Sequence, residues 1–150
     1  MGLALNRPIE GLTVPDLLDK LDIKSTIALP PDLVLMGGPV ERERGFVLHT
    51  ADYQGEHTFG VDADVALTAT REVLEAMASH NGAPSKSLLA LGYAGWGAGQ
   101  LEEEIKQNVW LTCDADEELI FGHDYARKWT RALTKLGVDP ERLGSAAGRA

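Results

Sequence analysis

The run Gly92-Tyr-Ala-Gly-Trp-Gly-Ala-Gly-Gln-Leu-Glu-Glu-Glu104 comes nearest to a known chemistry. An apolar strand candidate, Leu88 to Leu91, leads into Gly92, Gly95, Gly97 and Gly99, and a helix start follows. That is the outline of a loop that holds phosphate on backbone N–H groups at a helix N-terminus. The details oppose it. A P-loop requires Gly-Lys-Ser/Thr, and Gly99 is followed by Gln100 and Leu101. A dinucleotide fingerprint spaces its glycines Gly-x-Gly-x-x-Gly, and here Gly95, Gly97 and Gly99 alternate as Gly-x-Gly-x-Gly. Glu102, Glu103 and Glu104 then fill the first helical turn, compensate the dipole and repel an anion. Two like charges at 4 Å near a protein surface cost roughly 4 kcal/mol. The residues favour a tight turn whose glycines permit positive φ and close backbone approach. Trp96 would then fold over the core and Gln100 would bond backbone. The remaining option is a cleft, walled by Tyr93 and Trp96, that takes a neutral or cationic ligand or a protein segment.

Other reactive side chains give weaker patterns. His49, His57, His80 and His123 show no metal-binding helical spacing. His49 ends an apolar strand, where a histidine is more often hydrogen-bonded at a sheet edge than catalytic. A metal held by His49 and His57 with Asp52 or Glu56 is the minor alternative. No Gly-x-Ser-x-Gly elbow exists, so a serine triad has no support. Cys113 precedes Asp114 and Asp116, and nearby carboxylates disfavour a thiolate. Arg127, Arg131 and Lys135 form a stripe at i, i+4 and i+8. It reads as a solvated helix face, or else as a docking stripe for an acidic partner. No catalytic residue, metal ligand or cofactor is assigned.

The elements that must position these groups follow from pattern. Gly2 to Arg7 reads as a strand ending, closed by Pro8. Thr13-Val-Pro-Asp16 starts a helix, with Val14, Leu17, Leu18 and Leu21 on one face. Leu33–Leu35 and Phe46–Leu48 read as strands joined through Gly37-Gly-Pro39 and Glu41–Arg44 in a wide hairpin. His57–Val61 reads as a short strand. Val65–Leu67 is another, or the lead into a helix from about Thr70 to Ser79 that ends at Asn81-Gly-Ala-Pro84. A helix from about Gly99 to Gln107 buries Leu101 and Ile105, and Val109–Leu111 is a strand. The last helix runs from about Asp124 to Leu136, with Tyr125, Trp129, Ala132, Leu133 and Leu136 as its apolar side and Gly137 as its stop. The tail from Gly144 is small and polar. These elements mix without strict alternation. The expectation is an α/β fold, α+β-like, over residues 1–150 as a single compact domain with a mixed β-sheet and helices on its faces.

Composition sets the frame. The 150 residues match one domain, and a chain of that length buries roughly 70% of the surface its unfolded form exposes. One cysteine excludes an internal disulfide and fits a reducing cytoplasm. No apolar run is long enough to span a bilayer, and Asn6 and Arg7 interrupt the first apolar stretch too early for a signal peptide. The net charge of −9 disfavours nucleic acid and anionic lipid. Residues 124–149 are nevertheless locally positive, with six bases against three acids.

Four segments together resemble the YqgE/AlgH family. They are Gly2-Leu-Ala-Leu-Asn-Arg-Pro8; Gly37-Gly-Pro-Val40 with Arg44-Gly-Phe-Val-Leu-His49; Gly92–Glu104 continuing to Asn108-Val-Trp110; and, more loosely, Asp116–Trp129. The resemblance spans essentially the whole chain. It implies a bacterial cytoplasmic protein with a compact mixed sheet, no established catalysis, and a link to transcriptional regulation. Two departures stand out. The family's closing Gly-His-Ala is Gly148-Arg-Ala150 here, and family members carry a few tens of residues before the Met1–Pro8 segment. If Met1 is the true start, a missing strand would expose a sheet edge and favour self-association.

The leading expectation is a non-enzymatic cytoplasmic regulatory or interaction protein. It would recognise a protein partner or small ligand through a cleft around Asn6, Arg7, Arg44, His49, Tyr93, Trp96 and Gln100. A hydrolase of a small phosphorylated or nucleotide-like compound is the first alternative, with Arg7 and Arg44 as anion clamp and His49 as acid/base. Weak nucleic-acid binding through Arg127, Arg131 and Lys135 is the second.

Overall fold

Thr13 begins the first helix because its side chain and that of Asp16 cap each other reciprocally, and Pro15 sits in the first turn. This helix, α1 (Val14–Lys20), follows a strand that the sequence pattern misplaced. The strand β1 runs Pro8–Thr13, so Pro8 opens it rather than closing the one before. Proline lacks an N–H and fits the first position of a strand. Gly2 forms only an isolated bridge with Ala94. In the computed structural model the described residues are 1–143. The tail from Gly144, with Ser145 and Gly148-Arg-Ala150, lies outside them.

Contacts group the chain into two compact units, Gly2–Ala94 and Gly95 onward. The first is a six-stranded mixed sheet with two helices; the second, among its described residues, is helical. The fold is α/β. The remaining strands are β2 (Leu33–Met36), β3 (Val40–Thr50), β4 (Thr58–Gly60), β5 (Val65–Thr68) and β6 (Ser87–Tyr93). Their order is β1-β2-β6-β3-β5-β4. Only β2–β6 is parallel. The wide hairpin expected between β2 and β3 is therefore absent. The most apolar strand, β6, inserts between them, and Glu41–Arg44 belong to β3 itself. The helix α2 (Arg71–Ser79) and α1 bring Val14, Leu18, Val73 and Ala78 onto Val34, Val47 and Leu89 of one sheet face.

The second unit holds α3 (Gln100–Lys106), α4 (Glu117–Phe121), α5 (Tyr125–Lys135) and a 3-10 turn, Pro140–Arg142. The sequence pattern missed α4, which Asp116 caps by accepting the Leu119 N–H at 2.7 Å. Val109–Leu111 is not a strand, and Val109 and Leu111 are 61% and 54% exposed. In α3, Ile105 is exposed and Leu101 only half-buried. On α5, Trp129 is exposed while Lys128 is buried with Leu133, and Leu136, just past the helix, is exposed. Gly137 follows at φ 68°, the left-handed stop that its sequence position suggests. No helix among the described residues is long and apolar enough to cross a membrane.

Candidate functional site

Arg44 and Tyr93 meet in the sheet unit on a bulge in β3. The register of β3 on β6 shifts between Val40 and Gly45, and Glu41 inside the bulge has φ 45°. A glutamate in that region carries backbone strain of about 1–3 kcal/mol. The carboxylate it presents is held from two sides. Arg44 Nη1 donates to Glu41 Oε2 at 3.3 Å. A side-chain hydrogen bond with Glu41, followed by burial, raises the Tyr93 phenol above its ordinary range. The Arg44 guanidinium lies 5.3 Å from the centre of the Phe46 ring, and Phe46 meets Tyr93 edge-on at 5.7 Å. The Arg44 and Glu41 side chains stay 55% and 52% exposed.

Glycines make this bulge possible. Cβ atoms on Gly37 and Gly38 would lie 2.3 Å from the Gly92 carbonyl oxygen and 2.1 Å from the Tyr93 carbonyl carbon. The two backbones cross too closely for any side chain. The N-terminal segment lies along the same crossing: Ala4 N–H donates to the Gly37 carbonyl and Met36 N–H to the Arg7 carbonyl, both at 2.8 Å. Asn6 and Arg7 are exposed beside it.

His49 has a different setting. It lies on an inner strand, not at a sheet edge, and is fully buried. Its Nδ1 faces the Thr50 carbonyl at 2.8 Å, and a carbonyl only accepts, so Nδ1 carries a hydrogen. Nε2 pairs with Thr68 Oγ1 at 2.8 Å, Thr68 with Thr58 Oγ1 at 2.8 Å, and Thr58 Oγ1 accepts the Gly55 N–H at 3.0 Å. The Tyr53 ring seals it edge-on at 5.3 Å. Both nitrogens are spent on the fold. The Asp52 carboxylate accepts from Ser85 and Thr50, which hold it below the usual carboxylate range. Among the described residues no group of three His, Cys, Asp or Glu is placed to hold a metal.

In the helical unit the glycine-rich turn is organised by Glu104. The Trp96 and Trp110 indole N–H groups both donate to Glu104 Oε2, at 3.0 and 2.6 Å, and Gln100 Nε2 donates to Oε1 at 2.9 Å. Trp110, then Gln100, then Trp96 hold the Glu104 carboxyl below the ordinary range. The two indoles meet edge-on at 5.8 Å. Gln100 Oε1 also accepts the Gly97 N–H at 2.9 Å, the backbone bond expected of it. Gly99 caps α3 at φ 76°. Glu104 is thus an internal acceptor; Glu102 and Glu103 remain as the exposed acids of the first turn.

The basic stripe is ion-paired. Lys135 Nζ lies 2.6 Å from Asp116 Oδ2, Arg131 Nη2 2.8 Å from Glu118 Oε1, and Arg127 Nε 3.7 Å from Asp124 Oδ2. Asp116 is pushed below its ordinary range, first by Lys135 and then by its cap on α4. A shallow depression of ≈ 260 Å³ lies between Asp116, Leu119, Arg131, Thr134 and Lys135. Lys128, beside the stripe in sequence, is buried and donates to the Ile120 carbonyl at 2.5 Å. Burial lowers its pKa to about 8.

The expected site residues are held by different partners within each unit. Arg44 and Tyr93 join through Glu41 and Phe46; Trp96 and Gln100 join through Glu104; His49 is enclosed. Sequence reasoning passed over Glu41, Phe46, Glu104, Trp110 and Lys128 as contributors. For Glu104 the sequence signal that could have found it is the i, i+4 spacing from Gln100 within a helix.

A sequence profile described as AlgH-like matches residues 1–141. A UPF0301 protein of Caulobacter vibrioides is 62% identical over 151 residues, covering 100% of this chain and 77% of its own. One from Rhodospirillum rubrum is 51% identical over 150 residues, covering 100% and 78%. The solution structure of AlgH from Pseudomonas aeruginosa matches with TM-score 0.72 and 40% identity, over 100% of this chain and 79% of that one. The crystal structure of a Corynebacterium diphtheriae protein, DIP2367, matches with TM-score 0.64 at 15% identity, over 98% and 74%, a likeness of fold alone.

Proposed function

The chain belongs to the AlgH-like family, and on that footing we propose that it is a non-enzymatic cytoplasmic regulatory protein that recognises a protein partner through the β3 bulge. Arg44, Glu41 and Tyr93 form the contact surface, with Asn6 and Arg7 beside it. The observation that carries this reading is the strained bulge itself. A positive φ at Glu41 and three glycines at one backbone crossing hold a charged and aromatic group in one exposed geometry. Pre-organised side chains lose little freedom on binding. Arginine and tyrosine are also the residue types that dominate interface energies. The resemblance to the YqgE/AlgH family makes transcription the process such a partner would serve.

The two alternatives have less support. A hydrolase would need an acid/base group within reach of substrate, and both His49 nitrogens are engaged inside the sheet. Nucleic-acid binding through Arg127, Arg131 and Lys135 would first have to break their pairs with Asp124, Glu118 and Asp116.

The test is a photo-crosslinking amino acid placed at Arg42 on the bulge, with a control at Glu10, in living bacteria. One partner should crosslink from position 42, and Arg44→Ala with Tyr93→Ala should remove it. Crosslinks identical at both positions, or unaffected by the double substitution, would defeat the reading.

A further inference from the structure

β4 is the outermost strand of the sheet on the side of β5. Val61 N–H donates to the Val65 carbonyl at 2.8 Å, while the Val65 N–H turns to Asp62 Oδ1 at 2.8 Å, so 61 faces 65 at a position of the bonded kind. Antiparallel pairs alternate between bonded and non-bonded. Phe59 with Leu67 is the next bonded pair; Thr58 with Thr68 and Gly60 with Ala66 are non-bonded. The backbone groups of Thr58 and Gly60 therefore point away from β5. Thr58 N–H turns back to the Gly55 carbonyl at 3.3 Å. Gly60 presents both its N–H and its C=O to the open edge, and a Cβ on it would meet nothing within 4 Å.

An apolar row runs to that edge. Leu88, Leu48, Leu67 and Phe59 are register neighbours across β6, β3, β5 and β4. Burial falls along the row from Leu88, at 4% exposure, to Phe59, at 67%. Val61, two residues from Phe59, is 61% exposed. Charge frames the pair on one sign only. Glu56, Asp62 and Asp64 flank it, and no lysine or arginine occurs between Arg44 and Arg71.

We infer that this edge takes up an extended basic segment of a partner protein as a seventh strand. Two apolar side chains of the segment, spaced i and i+2, pack on Phe59 and Val61. Its lysines or arginines face Glu56, Asp62 and Asp64, and one residue exchanges both backbone hydrogen bonds with Gly60. Strand addition of this kind draws affinity from the main chain and specificity from alternate side chains. Charge selects against a second copy of this chain. Pairing Gly60 with Gly60 of another copy sets Phe59 against Val61, but it also sets Glu56 against Asp64, and like charges opposite each other destabilise a ladder.

The experiment titrates the isotope-labelled chain with the peptide acetyl-KITVKR-amide and its acidic counterpart acetyl-EITVEE-amide, following amide NMR signals. The basic peptide should shift Thr58 to Asp62, more weakly as salt is added, and the acidic one should not. Gly60→Pro removes the outward N–H and leaves the bonds toward β5 in place. Phe59→Ser removes the apolar anchor and is independent of any backbone effect. Each should weaken binding about tenfold or more, worth about 1.4 kcal/mol. Equal shifts from both peptides, shifts confined elsewhere, no binding at millimolar peptide, or unchanged binding in both variants would overturn the inference. So would a dimer in sedimentation that Phe59→Ser dissolves, which would give the edge to a second copy.

Discussion

Replacing Gly92 with alanine separates two reasons for keeping a glycine, because Gly82 and Gly99 share its backbone conformation without its surroundings. Their φ values are 75°, 70° and 76° for Gly92, Gly82 and Gly99. Alanine in the left-handed region costs roughly 1–2 kcal/mol, partly offset by the reduced freedom of the unfolded chain. At Gly82 and Gly99 that is the whole cost, since a Cβ there meets nothing within 4 Å. At Gly92 the Cβ would sit 2.5 Å from the Gly38 carbonyl oxygen, 3.1 Å from that of Val40 and 3.3 Å from the Arg42 Cα. All are backbone atoms of the bulge or its approach, so none can rotate away. Overpacking adds roughly 1–3 kcal/mol, for a total near 2–5 kcal/mol against about 1 kcal/mol at the controls. For a chain of this size each kcal/mol shifts the melting midpoint by about 2–4 °C. Gly92→Ala should therefore melt roughly 6–15 °C lower and the controls about 3 °C lower. Urea unfolding followed by circular dichroism gives the same comparison. If the Gly92 and Gly82 variants agree within about 0.5 kcal/mol, conformation alone explains the glycine, and the backbone crossing does not fix the Arg44–Glu41 site.

Two further outcomes follow from titration. Lys128, with its pKa lowered to about 8 in the folded chain, is charged at a cost below that pH. The unfolded chain binds more protons between about pH 8 and 10.4, so stability should rise across that window. The full shift would be worth about 3 kcal/mol, reduced by solvent screening to about 1–2; Lys128→Met should flatten the rise, as measured by urea midpoints at several pH values. Glu104 has the opposite chemistry. Its folded pKa is depressed, so its contribution is complete above the ordinary carboxylate range and is lost as pH falls through the folded value. Glu104→Gln should remove that acid dependence and change tryptophan fluorescence at neutral pH, because Trp96 and Trp110 lose a shared charged acceptor. Superimposable spectra and acid midpoints for the two proteins would refute this account of the turn.

Much of the element content was legible in the chain. Thr13, Pro15 and Asp16 announced α1, Gly137 announced the end of α5, and the apolar run Leu88–Leu91 announced β6, because caps, stops and buried strands are local chemistry. The family resemblance was legible for the same reason, being carried by contiguous motifs. Gln100 also kept its expected backbone bond within the turn. Pairing was not legible. That β6 would slip between β2 and β3, turning an expected connection into a bulged strand, depends on contacts between segments about fifty residues apart. The fate of polar side chains was hidden for the same reason. His49 needed Thr68, Lys128 needed the Ile120 carbonyl, and the stripe on α5 needed Asp116 and Glu118. The glycine-rich run also drew its meaning from both sources. Its spacing and its glutamates argued against a phosphate loop. Only the folded chain showed that Gly92 marks a backbone crossing and that Glu104 gathers two tryptophans and a glutamine. A sequence states which hydrogen bonds and charges a residue can satisfy; tertiary structure decides which partner satisfies them, because that partner is brought near by folding and not by position along the chain.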